Sequence, residues 1–266
     1  LPLTTVAITF PMPKSGNIVG AIQTTKSHNR ESLGDIGRRF DIGIYEMIEA
    51  NPTVNPWSVG NGKTITIPSK FILPPGPSEG IIINLAEMRL YFYHPDGKYV
   101  STFPIGIGRK GWLTPTGDAR IVSKEKDPYW IPPDSIRAAY KRKGKSLPKV
   151  VPPGPDNPLG QYKMKLSIPG YLIHGTNKPG GIGVRSSSGC IRMFPEDIEA
   201  LFYMTNLGTP VQIIHSPYKV AKIGSQIYLE AHEPLSESYY RKLTPIEMFK
   251  QAFHEANIDY LYFTKW

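Results

Sequence analysis

The chain has 266 residues and a formal net charge of +9 at pH 7, with 40% hydrophobic and 20% charged residues. This composition can supply a hydrophobic core and excludes a disordered chain or a coiled coil. No apolar run reaches the ~18 residues that a membrane-spanning helix needs. The single cysteine, Cys190, excludes a disulfide framework and a cysteine-rich zinc site.

The N-terminal residues predict a small domain made of a strand, two helices and a second strand. Residues 17–25 are rich in β-forming residues. Ser32, with Asp35 three positions later, is typical of a helix N-cap in a capping box. Residues 44–50 fit a second short helix that ends at an Asn-Pro pair, and residues 63–68 alternate like a strand.

Residues 32–68 resemble a LysM module through three segments, LGDIGRRF, EANP and GKTITIP. In that family an Asn-Pro follows the second helix and the closing strand ends in Ile-Pro. The resemblance implies a peptidoglycan-binding module over residues 17–70 that binds N-acetylglucosamine polymers. The other interpretation is a small α+β domain without a ligand. Residues 71–79 (FILPPGPSE) are Pro-rich and predict a semi-rigid linker.

From Gly80 onward, strands predominate. Apolar and aromatic runs between turns predict strands over residues 81–85, 88–93, 99–108, 119–123, 170–174 and 210–215. A helix is predicted over residues 195–205, with a proline at its first position. Because strands far outnumber helices, we predict a mainly β fold, a sandwich or barrel, for residues 80–216. Residues 217–266 predict a hairpin followed by a helix that docks on this domain.

Positive charge is concentrated inside a long Pro-rich stretch, residues 127–160, which we call the basic segment. Between Ser135 and Pro155 it holds six basic residues and no acidic one. Such a surface favours an anionic partner, although a solvated loop is the commoner explanation of a charge run. No zinc-finger spacing or aromatic RNA-binding pattern accompanies the charge, so we expect no nucleic-acid partner.

Cys190 is the candidate nucleophile, because a thiolate reacts well at neutral pH once neighbouring groups lower the pKa of the thiol. The backbone N–H groups of Ser188, Gly189 and Cys190 are consecutive and can converge on an oxyanion. His174 closes an apolar strand, where a titratable side chain suits a general base. These residues alone leave open a buried structural cysteine and a structural histidine.

The segment IHGTNKPGGIGVRSSSGCIRM, residues 173–193, resembles the motif of the L,D-transpeptidase (YkuD) family. That motif is His-Gly-Thr, about a dozen residues, and then Ser-x-Gly-Cys-[Ile/Val]-Arg. The resemblance covers residues 80–215 and includes PIGIG and TPTG. It implies a YkuD-type β fold. The order LysM, Pro-rich linker and catalytic domain also occurs in Gram-negative members.

The resemblance implies a peptidoglycan L,D-transpeptidase. In that reaction Cys190 attacks the diaminopimelate carbonyl of a donor tetrapeptide stem and releases D-Ala, while His174 activates the thiol. An amine of another stem or of a wall-anchored lipoprotein then receives the acyl group. No metal or organic cofactor is needed, and carbapenems are expected to acylate Cys190.

The remaining motif residues receive supporting roles from the same resemblance. Ser187 orders the site, the N–H groups of residues 188–190 form the oxyanion hole, and Gly175 and Thr176 shape the turn after the histidine. Arg192 supports the site or binds a substrate carboxylate, although a structural ion pair explains it equally well.

The motif departs from the family at one position. Many members carry Ser-His-Gly-Cys, whereas Ser188 stands here in place of that histidine. Some Gram-negative members share the serine, so we do not interpret it as inactivation. The departure leaves His174 as the only candidate base in the motif.

Location and water exclusion are also predicted. Leu1 is not an initiator methionine and no charged leader precedes it, so we expect a mature or trimmed product of an exported, periplasmic protein. An acceptor amine must compete with water for the acyl-enzyme, and the basic segment is our hypothesis for the lid that excludes water.

Two alternatives stay open at this stage. The first is a hydrolase, an L,D-carboxypeptidase or endopeptidase that uses the same thiol with water as acceptor. The second is a peptidoglycan-binding protein with an idle site. Product analysis distinguishes the hydrolase from a transpeptidase. Failure of a β-lactam to label Cys190 would favour the peptidoglycan-binding protein.

Overall fold

The computed structural model describes residues 8–240 and 242–259. Leu1 and the last seven residues of the predicted C-terminal extension lie outside this range. Among the described residues, no helix combines the length and apolar character needed to cross a bilayer.

The N-terminal part folds as two small antiparallel strand pairs around two helices. Its elements are β1 (Ile8–Pro11), β2 (Ile18–Gly20), β3 (Gln23–Lys26), α1 (Leu33–Arg39), α2 (Ile44–Ala50), β4 (Thr64–Ile67) and β5 (Lys70–Ile72). Strand β3 pairs with β4, and β2 pairs with β5. We call residues 17–73 of this part the N-terminal module. The predicted capping box is present, since the Asp35 N–H donates to Ser32 Oγ at 3.1 Å.

Two boundaries differ from the sequence-based expectation. The single strand expected over residues 17–25 is split into β2 and β3. The linker expected over residues 71–79 begins later, because Phe71 and Leu73 are buried in the core of the N-terminal module. Because these apolar side chains are buried, the strand pairing with β2 continues through Ile72 even though prolines follow.

The central domain is built on one mixed sheet. Its elements are β6 (Gly80–Asn84), β7 (Arg89–Tyr93), β8 (Tyr99–Pro104), β9 (Ile107–Gly108), β10 (Gly117–Lys126), α3 (Asp134–Lys141), β11 (Tyr162–Leu166), β12 (Leu172–His174), a 3-10 turn (Pro179–Gly181), β13 (Arg185–Ser187), β14 (Ile191–Arg192), α4 (Pro195–Met204) and β15 (Pro210–Ile214). The nine strands of the sheet lie in the order β1-β8-β7-β6-β15-β10-β11-β12-β14. The mainly β fold predicted from the sequence is confirmed, as a curled sheet.

Alternation along β6 explains why its sequence is apolar without interruption. Ile81 and Ile83 belong to the core of the central domain, whereas Ile82 belongs to the core shared with the N-terminal module. Successive side chains of a strand point to opposite faces, so both faces of this strand are buried. The N-terminal module therefore packs directly on the sheet that carries the central domain.

The C-terminal part forms a hairpin and a helix, as predicted. Strands β16 (Tyr218–Ile223) and β17 (Gln226–Ala231) pair in antiparallel fashion, and α5 spans Pro245–Glu255. Thr244 caps this helix in a second capping box. Phe253 and Val220 share a small core, so the helix docks on the hairpin.

Candidate active site

Strands β12 and β14 bring the predicted nucleophile and base to one place. They pair in parallel, with Ile173 opposite Ile191 and His174 opposite Arg192. Both isoleucines are buried in the core, and alternation directs the residues on either side of them to the other face. Cys190, which immediately precedes β14, therefore projects from the same face as His174 and Arg192.

The chain before Cys190 forms a turn fixed by the Ser187 hydroxyl. Ser187 Oγ donates to the Cys190 carbonyl at 2.6 Å and accepts the Gly189 N–H at 3.0 Å. Gly189 has φ +108°, and a Cβ there would lie 2.9 Å from the Leu113 carbonyl oxygen. Glycine is therefore required at this position for both backbone conformation and space. The Gly189 N–H that was expected to face an oxyanion is instead bound to Ser187.

His174 is held as a neutral base. Its Nδ1 lies 2.7 Å from the Gly175 carbonyl oxygen, and because a carbonyl only accepts, Nδ1 carries the proton and Nε2 is left as the acceptor. Burial lowers the pKa of His174 to about 4, and the Arg192 charge acts in the same direction. At neutral pH the imidazole is uncharged.

The Cys190 thiol is half-buried, with Sγ 3.8 Å from the Gly170 carbonyl oxygen. Burial raises its pKa, while a hydrogen bond from the Leu172 backbone and the charge of Arg192 act in the opposite direction. Cys190 and His174 therefore place an uncharged thiol and an uncharged imidazole on the same face of the paired strands β12 and β14.

Gly175 and Thr176 lie in the turn that follows His174, where they were expected. Thr176 is buried, and its Oγ1 accepts the Lys178 N–H at 2.9 Å. A Cβ at Gly175 would contact Ile198 at 3.1 Å. These contacts fix the backbone that carries the histidine.

The basic segment covers the same region of the domain. It contains α3, a helix that the sequence did not predict, and Arg137 ties this helix to the chain beyond it through the carbonyls of Leu147, Pro148 and Lys149. A cleft of about 700 Å³ separates the basic segment from strands β13 and β14. Ile136, Ala139 and Tyr140 line one wall, and Arg109, Ser186, Ser188 and Arg192 line the other.

Sequence reasoning missed two residues of this region, Arg109 and Tyr140. Arg109 directly follows the PIGIG segment and strand β9, and its place next to that family segment was the available indication. Tyr140 belongs to the unpredicted helix, and it lines the same cleft as Arg192.

One cluster of the described residues has the ligand types of a metal centre. Glu87, Glu230 and His232 offer ligand atoms within 4.8 Å of one another. The Lys219 ammonium lies between them, 2.7 Å from Glu87 and 2.8 Å from Glu230. The lysine thus supplies the positive charge, and the cluster is a buried ion-pair network that joins the C-terminal hairpin to the central domain.

Comparison with known proteins identifies the family. Residues 78–213 match the YkuD family, described as an L,D-transpeptidase catalytic domain. The chain is 44% identical over 247 residues to the probable L,D-transpeptidase YcfS of Escherichia coli K12, covering 89% of this chain and 76% of that protein. It is 40% identical over 259 residues to the probable L,D-transpeptidase YbiS of the same strain, covering 94% and 84%. The chain therefore belongs to the L,D-transpeptidase (YkuD) family, whose members are cysteine-dependent transferases.

Proposed function

We propose that the chain is a peptidoglycan L,D-transpeptidase in which Cys190 and His174 perform both half-reactions. The observation that carries the proposal is the parallel pairing of β12 and β14, which sets the thiol, the imidazole and Arg192 on one face beside a cleft. A thiol nucleophile on the same face as a neutral base is the arrangement that supports acyl transfer through a thioester.

In the first half-reaction, His174 Nε2 accepts the thiol proton as the sulfur of Cys190 attacks the diaminopimelate carbonyl. The N–H groups of Ser188 and Cys190 stabilise the oxyanion, since the Gly189 N–H is bound to Ser187. Collapse of the intermediate breaks the amide bond, and the imidazolium gives its proton to the departing D-Ala amine. A thioester on Cys190 remains.

In the second half-reaction, an acceptor amine attacks the thioester and loses a proton to His174. The new amide forms as the sulfur leaves, and the imidazolium returns the proton to the thiolate. The acceptor is an amine of a second stem or of a wall-anchored lipoprotein. The apolar side chains of Ile136 and Ala139 on the basic segment support transfer over hydrolysis, because they line the cleft and offer water no hydrogen bonds.

We also propose that the N-terminal module is a LysM module that binds the glycan strands of the substrate, and that the protein acts in the periplasm. The strand-helix-helix-strand order of β3, α1, α2 and β4 supports the assignment. Trp57, which is 77% exposed between α2 and β4, offers a face on which a sugar ring can stack.

Intact-mass measurement tests the reaction. The protein is incubated with a tetrapeptide muropeptide, with and without an acceptor amine, beside Cys190→Ala. We expect release of D-Ala and a cross-linked product with the native chain, and neither with the variant. Release of D-Ala without cross-linked product, even at high acceptor concentration, would indicate a hydrolase.

A carbapenem provides an independent probe of the thiol. We expect one covalent adduct on the native chain and none on Cys190→Ala, because this is the only cysteine of the chain. A folded native protein that stays unlabelled would contradict an activated thiol and leave a peptidoglycan-binding role.

A further inference from the structure

Two arginines line the cleft, and both contact the chain segment that leads to Cys190. Arg109 Nη1 donates to the Ser187 carbonyl at 3.1 Å and to Ser188 Oγ at 3.0 Å. Arg192 Nη1 lies 3.5 Å from Ser186 Oγ. The side chains thus approach three successive residues, and both line the cleft.

No carboxylate of the described residues forms an ion pair with either guanidinium. Arg192 Nε is buried and has no hydrogen-bond partner in the described part of the chain. Burial lowers the pKa of Arg192, and the positive charge of Arg109 acts in the same direction. Asp156, an exposed residue of the basic segment, is the acidic residue among those that line the cleft.

Two like charges held together without a counter-ion are unfavourable until an anion binds between them. A guanidinium presents its N–H groups as a planar fork that matches a carboxylate. Arg109 cannot turn away, because its side chain is tied to Ser187 and stacks 4.7 Å from the Trp112 ring.

We propose that Arg109, which lies outside the motif, joins Arg192 in a carboxylate-binding subsite that orients the donor stem beside Cys190. This inference rests on the proposed function for the identity of the ligand. The donor peptide carries carboxylates on its terminal D-Ala, on diaminopimelate and on glutamate, and one of these occupies the subsite. Arg109 contacts the donor carboxylate directly in this scheme.

Alkylation of Cys190 tests the subsite without any substrate, because the chain has one cysteine. Iodoacetate and iodoacetamide differ by a carboxylate, so the ratio of their rates measures attraction of the anion. We expect Arg109→Gln and Arg192→Gln to lower this ratio about tenfold, the equivalent of ~1.4 kcal/mol. Lys110→Gln, which removes the same charge one residue away on an exposed side chain, should leave it within about twofold.

The iodoacetamide rate controls for structure, because that reagent is neutral. An unchanged iodoacetamide rate in Arg109→Gln shows that the turn at Ser187 is intact, and Arg109→Lys, which keeps the charge, should retain most of the ratio. Equal ratios in the native chain, Arg109→Gln and Lys110→Gln would overturn the subsite.

Donor peptides then identify the carboxylate. Each of the three carboxylates is replaced in turn by an amide, and kcat/KM for release of the fourth residue is measured. The amide that costs the native enzyme about tenfold and costs Arg109→Gln nothing marks the bound group. Loss in both enzymes alike would contradict the subsite. If no peptide reacts while the alkylation ratio still depends on Arg109, the proposed function fails and the anion site stands.

Discussion

Burial has opposite effects on the pKa values of Cys190 and His174. It raises the pKa of the thiol and lowers the pKa of the imidazole, so each group is kept in its uncharged form. The charge separation that creates the nucleophile therefore takes place only as the sulfur attacks. Such an enzyme does not depend on a stable thiolate, and its pH profile should show the difference.

We expect the acid limb of kcat/KM for donor acylation to lie near pH 4, well below the ordinary histidine value of 6.5. The base works in its neutral form, which persists at every pH above the pKa of about 4 that burial imposes on His174. Arg192→Gln removes a charge that lowers this pKa, so its limb should move to higher pH. A limb near pH 6.5 in the native enzyme would show that the free histidine is not buried as described.

The Ser187 hydroxyl makes two buried hydrogen bonds that hold the turn before Cys190. We expect Ser187→Ala to lower the free energy of unfolding by about 1–3 kcal/mol, because a buried donor and acceptor lose their partner. The rate of Cys190 acylation should also fall, since the turn loosens.

Ser188→Ala is the matched control for this substitution. Its half-buried hydroxyl bonds only to Arg109 among the described residues, and we expect a change below about 1 kcal/mol. Chemical denaturation and single-turnover acylation measure the two effects. Equal stability losses in the two variants would contradict a specific role of Ser187.

Among the elements, those with a strong apolar pattern were predictable and those without one were not. The alternation of residues 63–68 and the apolar runs from Ile81 to Tyr93 predicted strands. A strand that buries one face has apolar residues at alternate positions, and a strand that buries both faces has a continuous apolar run. Helix α3 was missed because none of its residues is buried in a core. Its apolar side chains line a cleft, and two prolines precede it.

The residues of the candidate site differ in the same way, because some lie in a local sequence pattern and others are brought together only by the fold. Cys190 and His174 could be proposed from the sequence because they lie in a contiguous motif. Arg109 was missed, since its contact with the Ser187 turn joins residues 78 positions apart. No local pattern encodes a contact of that kind, which depends on the parallel pairing of β9 with β13.

The basic segment is held in shape by Arg137, whose guanidinium binds carbonyls from both ends of its loop. We expect Arg137→Ala to loosen α3 and to shift the products of the acyl-enzyme from transfer toward hydrolysis, because water then reaches the thioester. Deletion of residues 142–145 should act in the same direction.

Lys141→Ala provides the control, since it removes a charge from the exposed face of the same helix without touching those carbonyls. The ratio of cross-linked to hydrolysed product, measured by mass spectrometry at fixed acceptor concentration, reports the change. A ratio that is the same in the native enzyme, Arg137→Ala and the deletion variant would rule out a lid role for the segment.

On the scale of the whole molecule, the N-terminal module is coupled to the loop between His174 and Cys190. Arg38 forms a bidentate ion pair with Glu196 at the start of α4, with contacts of 2.7 and 2.9 Å. Gly43 and Gly183 meet backbone to backbone across the same interface. Gly183 belongs to the motif loop, so the N-terminal module contacts the loop that joins His174 to Cys190, and we expect docking of the module to influence the conformation of that loop.

Gly183→Ala should expose this link. The residue has φ +74°, and a Cβ there would lie 2.5 Å from Gly43 Cα and from Ile44 N, so the substitution combines backbone strain with overpacking. We expect a loss of about 2–5 kcal/mol in the free energy of unfolding and a fall in Tm of roughly 5–15 °C. Cys190 acylation should slow as well, because the loop must move away from the module.

Gly180→Ala lies in the same loop, but its added Cβ would meet nothing within 4 Å, and we expect both stability and acylation to stay close to those of the native chain. Calorimetry and carbapenem acylation rates measure the pair. If Gly183→Ala lost stability but Cys190 was acylated at the native rate, docking of the N-terminal module would have no effect on the active site. A joint loss would instead show that docking of the module helps to shape the active-site loop.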